Sequence, residues 1–299
     1  MSKWKAWIKA SRIPAQSFIF PSLLLGQSIG YFISGNWNWM LFMLIHLYGI
    51  AMHLFIVYAN DYADYESDLM NTSYTPFTGG SRVLIEGSLS KKDLLTASYV
   101  TAVLSVFVSS VVGFIVGSVW PILLAILGIG LLHAYSFKPI KLSYRGFGEI
   151  LQMLGVGLIL PLIGYIGQGN TFIDLPFLYV LFLMPAQLAM AISTSLPDEP
   201  SDRETDKNTT VVKLGNQSAR IFIVFLYALT LSLVFYSEIN QHVHLVFSLV
   251  LLGLLFVLTG FSVRKTVLPG TQPMFYLVAV SILTNTLIVT GIAISLIIS

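Results

Sequence analysis

Nine apolar runs separated by short polar breaks organise the chain: residues 13–34, 39–59, 95–117, 120–137, 149–167, 175–196, 220–237, 243–263 and 274–298. Each is long enough for a helix to cross the hydrocarbon core of a bilayer. No Lys, Arg, Asp or Glu interrupts 13–60, 94–137, 221–237 or 266–299. The pattern predicts an all-α, polytopic membrane protein, a bundle of nine transmembrane helices in one domain over 1–299. Two connections, about 60–94 and 197–219, are longer and rich in charge. The basic start, Met1-Ser2-Lys3-Trp4-Lys5, precedes the first run without a small-residue cleavage site after it. That run is expected to be a retained helix rather than a signal peptide.

Composition agrees with the pattern. Of 299 residues, 56% are apolar and 10% charged, against about 25% charged in a soluble domain. Mean hydropathy is +0.81. A net charge of +2 is too small for the electrostatic footprint of a nucleic-acid binder. The absence of cysteine excludes disulfides and thiolate metal sites.

The charges also give an orientation. All 16 basic residues lie before the first run or after the second, fourth, sixth and eighth. The positive-inside rule then puts the N-terminus in the cytoplasm and the C-terminus outside. Of the 14 acids, only Asp174 and Glu238 lie on the opposite side.

Two acidic stretches occupy the long connections. One reads Asn60-Asp61-Tyr62-Ala63-Asp64-Tyr65-Glu66-Ser67-Asp68 and the other Asp198-Glu199-Pro200-Ser201-Asp202-Arg203-Glu204-Thr205-Asp206-Lys207. Four-residue steps stack Asp64 with Asp68, and Asp198 with Asp202 and Asp206, on one helical face. Asn60 and Asp61 join the first set one turn earlier. Such a face repels itself unless a cation sits against it. Each stretch therefore reads as half of a site for Mg²⁺, a hard cation that keeps waters and bridges phosphate oxygens. A solvated helix end accounts for two acids at a membrane edge, but less well for four aligned polar positions echoed in a second loop. The ligand alternation and glycine of a calcium loop are absent. Pro197 and Pro200 predict a broken or restarted helix, and Gly215 a stop before the next run.

A third cluster, Lys138, Lys141, Tyr144 and Arg145, follows the fourth run. Its cations fit contact with phosphate oxygens or anchoring to anionic headgroups. Thr78-Gly79-Gly80-Ser81-Arg82 reads as a cap over the site or as a plain turn. His46, His53 and His133 fall within spans, where an interhelical hydrogen bond is the commoner role. His242 and His244 look peripheral.

The order and spacing of Asn60, Asp64 and Asp68, then Asp198, Asp202 and Asp206, resemble the UbiA superfamily of intramembrane prenyltransferases along the whole chain. Within it, Tyr144-Arg145-Gly146-Phe147-Gly148-Glu149 resembles a segment of the 1,4-dihydroxy-2-naphthoate prenyltransferases of menaquinone synthesis. Asp206-Lys207 stands where that branch commonly has Gly-Lys, a departure that bears on the acceptor more than on the chemistry. The resemblance implies an Mg²⁺-dependent transfer of a polyprenyl group from its diphosphate to an aromatic acceptor, in the cytoplasmic membrane and with the site facing the cytoplasm. Asn60, Asp61, Asp64, Asp68, Asp198, Asp202 and Asp206 would hold metal. Asn60, Arg82, Lys138, Lys141, Arg145 and Lys207 would hold the diphosphate. Asp64, Asp198, Asp202 and Tyr144 would be catalytic, with the faces of Tyr62, Tyr65 and Tyr135 also available to an allylic cation. Other acceptors of the superfamily (4-hydroxybenzoate, a tetrapyrrole, a glycerophosphate) and a prenyl-diphosphate cyclase remain open. From another class, a cation-coupled secondary transporter remains as well, although acids gathered at one membrane face suit alternating access poorly.

Overall fold

A computed structural model describes residues 2–16, 18–72, 74, 79–236 and 245–299. Thr78, Glu238, Asn240, His242 and His244 lie outside the described residues. Among the described residues the protein is all helical, with no strand. The chain opens with a short helix, α1 (Lys3–Ala10), followed by α2 (Ile19–Ser34), α3 (Trp39–Ala63) and α4 (Tyr65–Met70). Next come α5 (Lys91–Val116), α6 (Trp120–Ser136), α7 (Gly148–Leu154) and α8 (Leu160–Gly167). The remainder is α9 (Phe177–Leu181), α10 (Met184–Ser195), α11 (Glu199–Glu204), α12 (Thr210–Leu214), α13 (Asn216–Tyr236), α14 (Leu245–Ser262) and α15 (Gln272–Ile298).

Every apolar run coincides with one or two of these helices. Among the described residues, six segments are long and apolar enough to cross a membrane: α3, α5, α7 to α8, α9 to α10, α13 and α15. The helices of the first, fourth and eighth runs are shorter. The first run departs most from expectation. Its start, Ile13–Gln16, is a 3-10 turn, and α2 begins only at Ile19. Arg12, at φ 43°, breaks the chain before Pro14. The basic residues ahead of it form a separate amphipathic helix. Ala6 and Ala10 of α1 pack into a small core with Val57, Tyr58, Val83, Leu89 and Leu94, while Trp4 and Ile8 stay exposed.

Local chemistry sets the other boundaries. Ser90 and Asp93 form a reciprocal capping box that starts α5, several residues ahead of the apolar run. Gly215, at φ 78°, ends α12. A π turn, Gly155–Ile159, joins α7 to α8 immediately before Pro161. Proline lacks an N–H, and its ring would press on the carbonyl four residues back; the widened turn relieves that crowding. Helices α2 and α8 then approach at glycines. A Cβ on Gly26 would fall 1.9 Å from the Pro161 carbonyl oxygen, and one on Gly164 2.3 Å from that of Leu23. Close backbone approach through small residues is how helices associate in lipid.

Candidate active site

Helix α3 carries the first acidic stretch out of the apolar zone and bends at Asp64. The N–H of Asp64 bonds the Asn60 carbonyl at 2.8 Å, and that of Asp68 bonds the Asp64 carbonyl at 2.8 Å. The four-residue register therefore survives the bend, and Asn60, Asp64 and Asp68 line one cavity. Asp61 leaves that face. Its carboxylate accepts from the Arg12 guanidinium at 3.2 Å and from the Ser81 backbone N–H at 3.2 and 3.3 Å. It ties the N-terminal segment to the glycine loop instead of lining the cavity.

Across the cavity, α10 ends at Ser195, and Asp198 immediately precedes the restarted α11. Asp198 and Asp202 face the same cavity, and Asn71 donates to Asp198 Oδ1 at 2.7 Å. The predicted third acid does not follow them. Helix α11 stops at Glu204, and Asp206 takes a left-handed conformation, φ 54°, with its side chain exposed. The N–H of Lys207 bonds the Asp202 carbonyl at 2.8 Å, and that of Asp206 bonds the Arg203 carbonyl at 3.4 Å. This is a Schellman C-cap, whose left-handed position is usually glycine. The turn faces Asp206 to solvent and swings Lys207 inward. Its Nζ lies 3.4 Å from Asp64 Oδ2 and 3.6 Å from Asp202 Oδ1, so one ammonium bridges both stretches.

The electrostatics follow from this crowding. Burial, then repulsion from Asp64 and Asp61, raises Asp68 well above the usual carboxylate range. Burial also raises Asp198, against the opposing pull of Lys207 and Asn71. Asp202 is pushed up to about 7, again chiefly by burial. Burial alone would lower Lys207, but Asp64 and Asp202 reverse this and hold it well above the usual lysine range. Asp64 Oδ1 is buried without a hydrogen-bond partner, and an orphaned carboxylate oxygen in such a place calls for a ligand. The donors are all hard oxygens. Among the described residues no three His, Asp or Glu side chains form a closed metal cage. Opposed carboxylates around an open space suit a hydrated Mg²⁺ that shares its coordination with a phosphate.

Not every predicted phosphate ligand reaches the cavity. Arg82 turns its guanidinium onto the carbonyls of Asp68 and Asn71, closing the end of α4. Lys138 is exposed, and Arg145 donates to the Pro139 carbonyl at 3.0 Å. Lys141 stacks over the Tyr144 ring at 3.5 Å. Tyr144 stands beside the site, 5.7 Å from Lys207 Nζ, with its hydroxyl pushed up to about 12 by burial. Tyr135 lines the cavity, whereas Tyr62 stacks on Phe137 and Tyr65 holds Lys91 over its ring. His53 meets the Ser11 carbonyl at 2.5 Å, and His46 lies between Phe20 and Phe42.

Other residues join the site without having been expected there: Arg12, Ser67, Asn71, Gln152, Thr194 and Ser195. Helical spacing from Asp64 and Asp68 was a signal for Asn71. Gly79 and Gly80 line the cavity at φ 75° and 70°, and a Cβ on Gly80 would fall 2.0 Å from Asp68 Oδ2. Gly80→Ala therefore displaces the Asp68 carboxylate and strains the turn. It is expected to cost about 1–3 kcal/mol of stability, seen as a lowered Tm together with reduced turnover.

Beyond the charged end, Met52, Ile56, Leu131, Leu151, Val156 and Ile159 make the cavity apolar. Comparison with known proteins gives this geometry a family. Residues 19–294 match the model of the UbiA prenyltransferase family. A 1,4-dihydroxy-2-naphthoate octaprenyltransferase of Haemophilus influenzae is 25% identical over 74% of this chain and 72% of its own. A 2-carboxy-1,4-naphthoquinone phytyltransferase of Synechocystis is 22% identical over 76% of this chain and 73% of its own. The solved UbiA homologue of Archaeoglobus fulgidus bound to DMAPP and Mg²⁺ superposes with a TM-score of 0.70 at 15% identity, covering 97% of this chain and 98% of that one. With the family model matched over nearly its whole length, the chain belongs to the UbiA prenyltransferase family.

Proposed function

We propose that this prenyltransferase moves a polyprenyl group from its diphosphate to 1,4-dihydroxy-2-naphthoate or a close aromatic relative, using Mg²⁺. The observation that carries the reading is the opposition of two acidic helix ends, Asn60 to Asp68 and Asp198 to Asp202, across one cavity whose part beyond the charged end is apolar. The acceptor class rests on the two naphthoate and naphthoquinone prenyltransferases among its relatives. The metal rests on the donor chemistry and on the Archaeoglobus homologue bound to DMAPP and Mg²⁺.

Asp64, Asp68, Asp198 and Asp202 would hold the magnesium, with Asn60 adding a neutral oxygen. Magnesium, when bound there, neutralises charge on the departing diphosphate. Lys207, Arg12 and Asn71 supply donors at the same end, where charge-assisted hydrogen bonds to phosphate oxygens are strong. The apolar walls keep water from an allylic cation until the aromatic ring attacks, and the face of Tyr135 offers it a cation–π contact.

In this reading one membrane domain crosses the bilayer nine times. The basic ends face the cytoplasm and put the site on that face of the cytoplasmic membrane, within reach of lipid. The test is an assay of purified protein with a prenyl diphosphate, 1,4-dihydroxy-2-naphthoate and Mg²⁺. A prenylated derivative of the naphthoate should form as diphosphate is released and the ring loses a proton or its carboxyl group, and EDTA should abolish it. Product only with a different acceptor, or undiminished product in EDTA, would overturn the acceptor or the metal respectively.

A further inference from the structure

The apolar part of the cavity has a floor. Tyr48 lies twelve residues before Asn60 on α3, about 18 Å along the axis at the helical rise. Tyr48 is 1% exposed and lines the cavity together with Met52, Ile159 and Gly128 of α6. Its hydroxyl has no hydrogen-bond partner, so packing alone holds the ring. A Cβ on Gly128 would stand 3.4 Å from Met52 Cε, 3.8 Å from Ile159 Cγ2 and 3.9 Å from the Tyr48 hydroxyl oxygen. The missing side chain of Gly128 is thus a notch one methyl wide, at the depth of Tyr48. Any larger group there closes the slot between α3 and the π turn.

We infer that Gly128, against Tyr48 and Met52, sets which prenyl chain lengths the enzyme accepts. The inference rests on the proposed prenyl-diphosphate reading of the cavity. Three backbone bonds of extended chain span roughly 3.5 Å, so a four-bond isoprene repeat spans about 4.5 Å on the same scale. About four repeats therefore fit between the level of Asn60 and Tyr48. A geranyl tail ends short of the notch. A geranylgeranyl tail reaches it, and longer tails must pass it. Gly128 does not touch the reacting atoms, so its effect should depend on tail length alone.

The experiment measures kcat/KM for geranyl, farnesyl, geranylgeranyl and octaprenyl diphosphates in wild type, Gly128→Ala, Gly128→Leu and Tyr48→Leu. Gly128→Leu should keep geranyl transfer within about threefold but lose at least about tenfold with geranylgeranyl and octaprenyl donors, as a few extra methylenes in an apolar slot require. Gly128→Ala, whose methyl fits, should show the same trend weakly and only with the longest donors. Tyr48→Leu, which orphans no partner, should favour the longer donors. Geranyl transfer by each variant reports folding and the charged end independently. Equal losses with every donor, or no loss with any, would overturn the inference. A wild type inactive with all four donors would overturn the prenyl-diphosphate reading and this inference together.

Discussion

Asp64→Ala and Asp198→Ala should each reduce turnover at least ~100-fold with prenyl diphosphate, Mg²⁺ and acceptor, the scale on which charge stabilisation of this kind acts. The two residues stand on opposite walls of one cavity and enter it differently. Asp64 is the bend residue between α3 and α4 and has one oxygen already engaged with Lys207. Asp198 is held from the side by Asn71 at 2.7 Å. Removing either takes a charge from one wall and leaves the other wall intact, so both variants should still fold while holding the diphosphate poorly. Asp206→Ala is the internal contrast. That residue belongs to the same sequence pattern but is exposed, and its loss should change turnover by less than about threefold, as surface substitutions do. Near-normal turnover in both cavity variants would refute the two-wall model. An Asp206→Ala defect as deep as theirs would show that the four-residue pattern, rather than the observed geometry, defines the site.

The contrast between Asp202 and Asp206 shows what was legible in the sequence. Four-residue spacing grouped Asn60, Asp64, Asp68, Asp198 and Asp202, which line one cavity, because a helix fixes the direction of side chains one turn apart. The same rule failed at Asp206, where the helix had already ended in a left-handed turn. Nothing in the spacing shows that end; only the cap geometry does. Asp61 failed for a related reason. One residue out of register with Asn60, Asp64 and Asp68, it turns instead toward Arg12 and Ser81. Hydropathy placed the long helices well, since an unbroken apolar run leaves the backbone few alternatives in lipid. It missed α1, whose amphipathic face packs through two alanines, and Arg12, whose role depends on contacts far away in sequence. The cations near the fourth run illustrate the remaining limit. Lys138, Lys141 and Arg145 lie close to the site in sequence, yet a carbonyl, an aromatic ring or solvent takes each of them.

Lys207→Met should have the second large effect, in a way that separates charge from shape. Methionine keeps most of the side-chain volume and removes the ammonium that lies 3.4 Å from Asp64 and 3.6 Å from Asp202. Turnover should fall about 100-fold, since a donor and a charge leave the diphosphate end together. Stability should also fall in metal-free protein, by about 3 kcal/mol at alkaline pH, the cost of removing one partner from a buried pair. That loss depends on pH. Asp202 has its carboxyl raised to about 7, and a carboxylate raised on folding contributes stability at low pH that is lost as pH rises through its folded value. Near pH 5.5 Asp202 is largely protonated and needs little from Lys207. Near pH 8 Asp202 is charged beside the ammonium in the wild type, and without that ammonium a charge there beside Asp64 and Asp198 is costly. The Tm difference between wild type and Lys207→Met in EDTA should therefore be larger at pH 8 than at pH 5.5, where Lys207 still has Asp64 3.4 Å away. Saturating Mg²⁺ should narrow it, because any cation held between the two walls relieves the same repulsion. Lys207→Arg keeps the charge and should retain most of the stability at pH 8, while its longer, planar group recovers only part of the turnover. A Tm difference independent of pH, or one that widens in Mg²⁺, would mean that Lys207 acts through packing and not as the cation that holds the two acidic walls together.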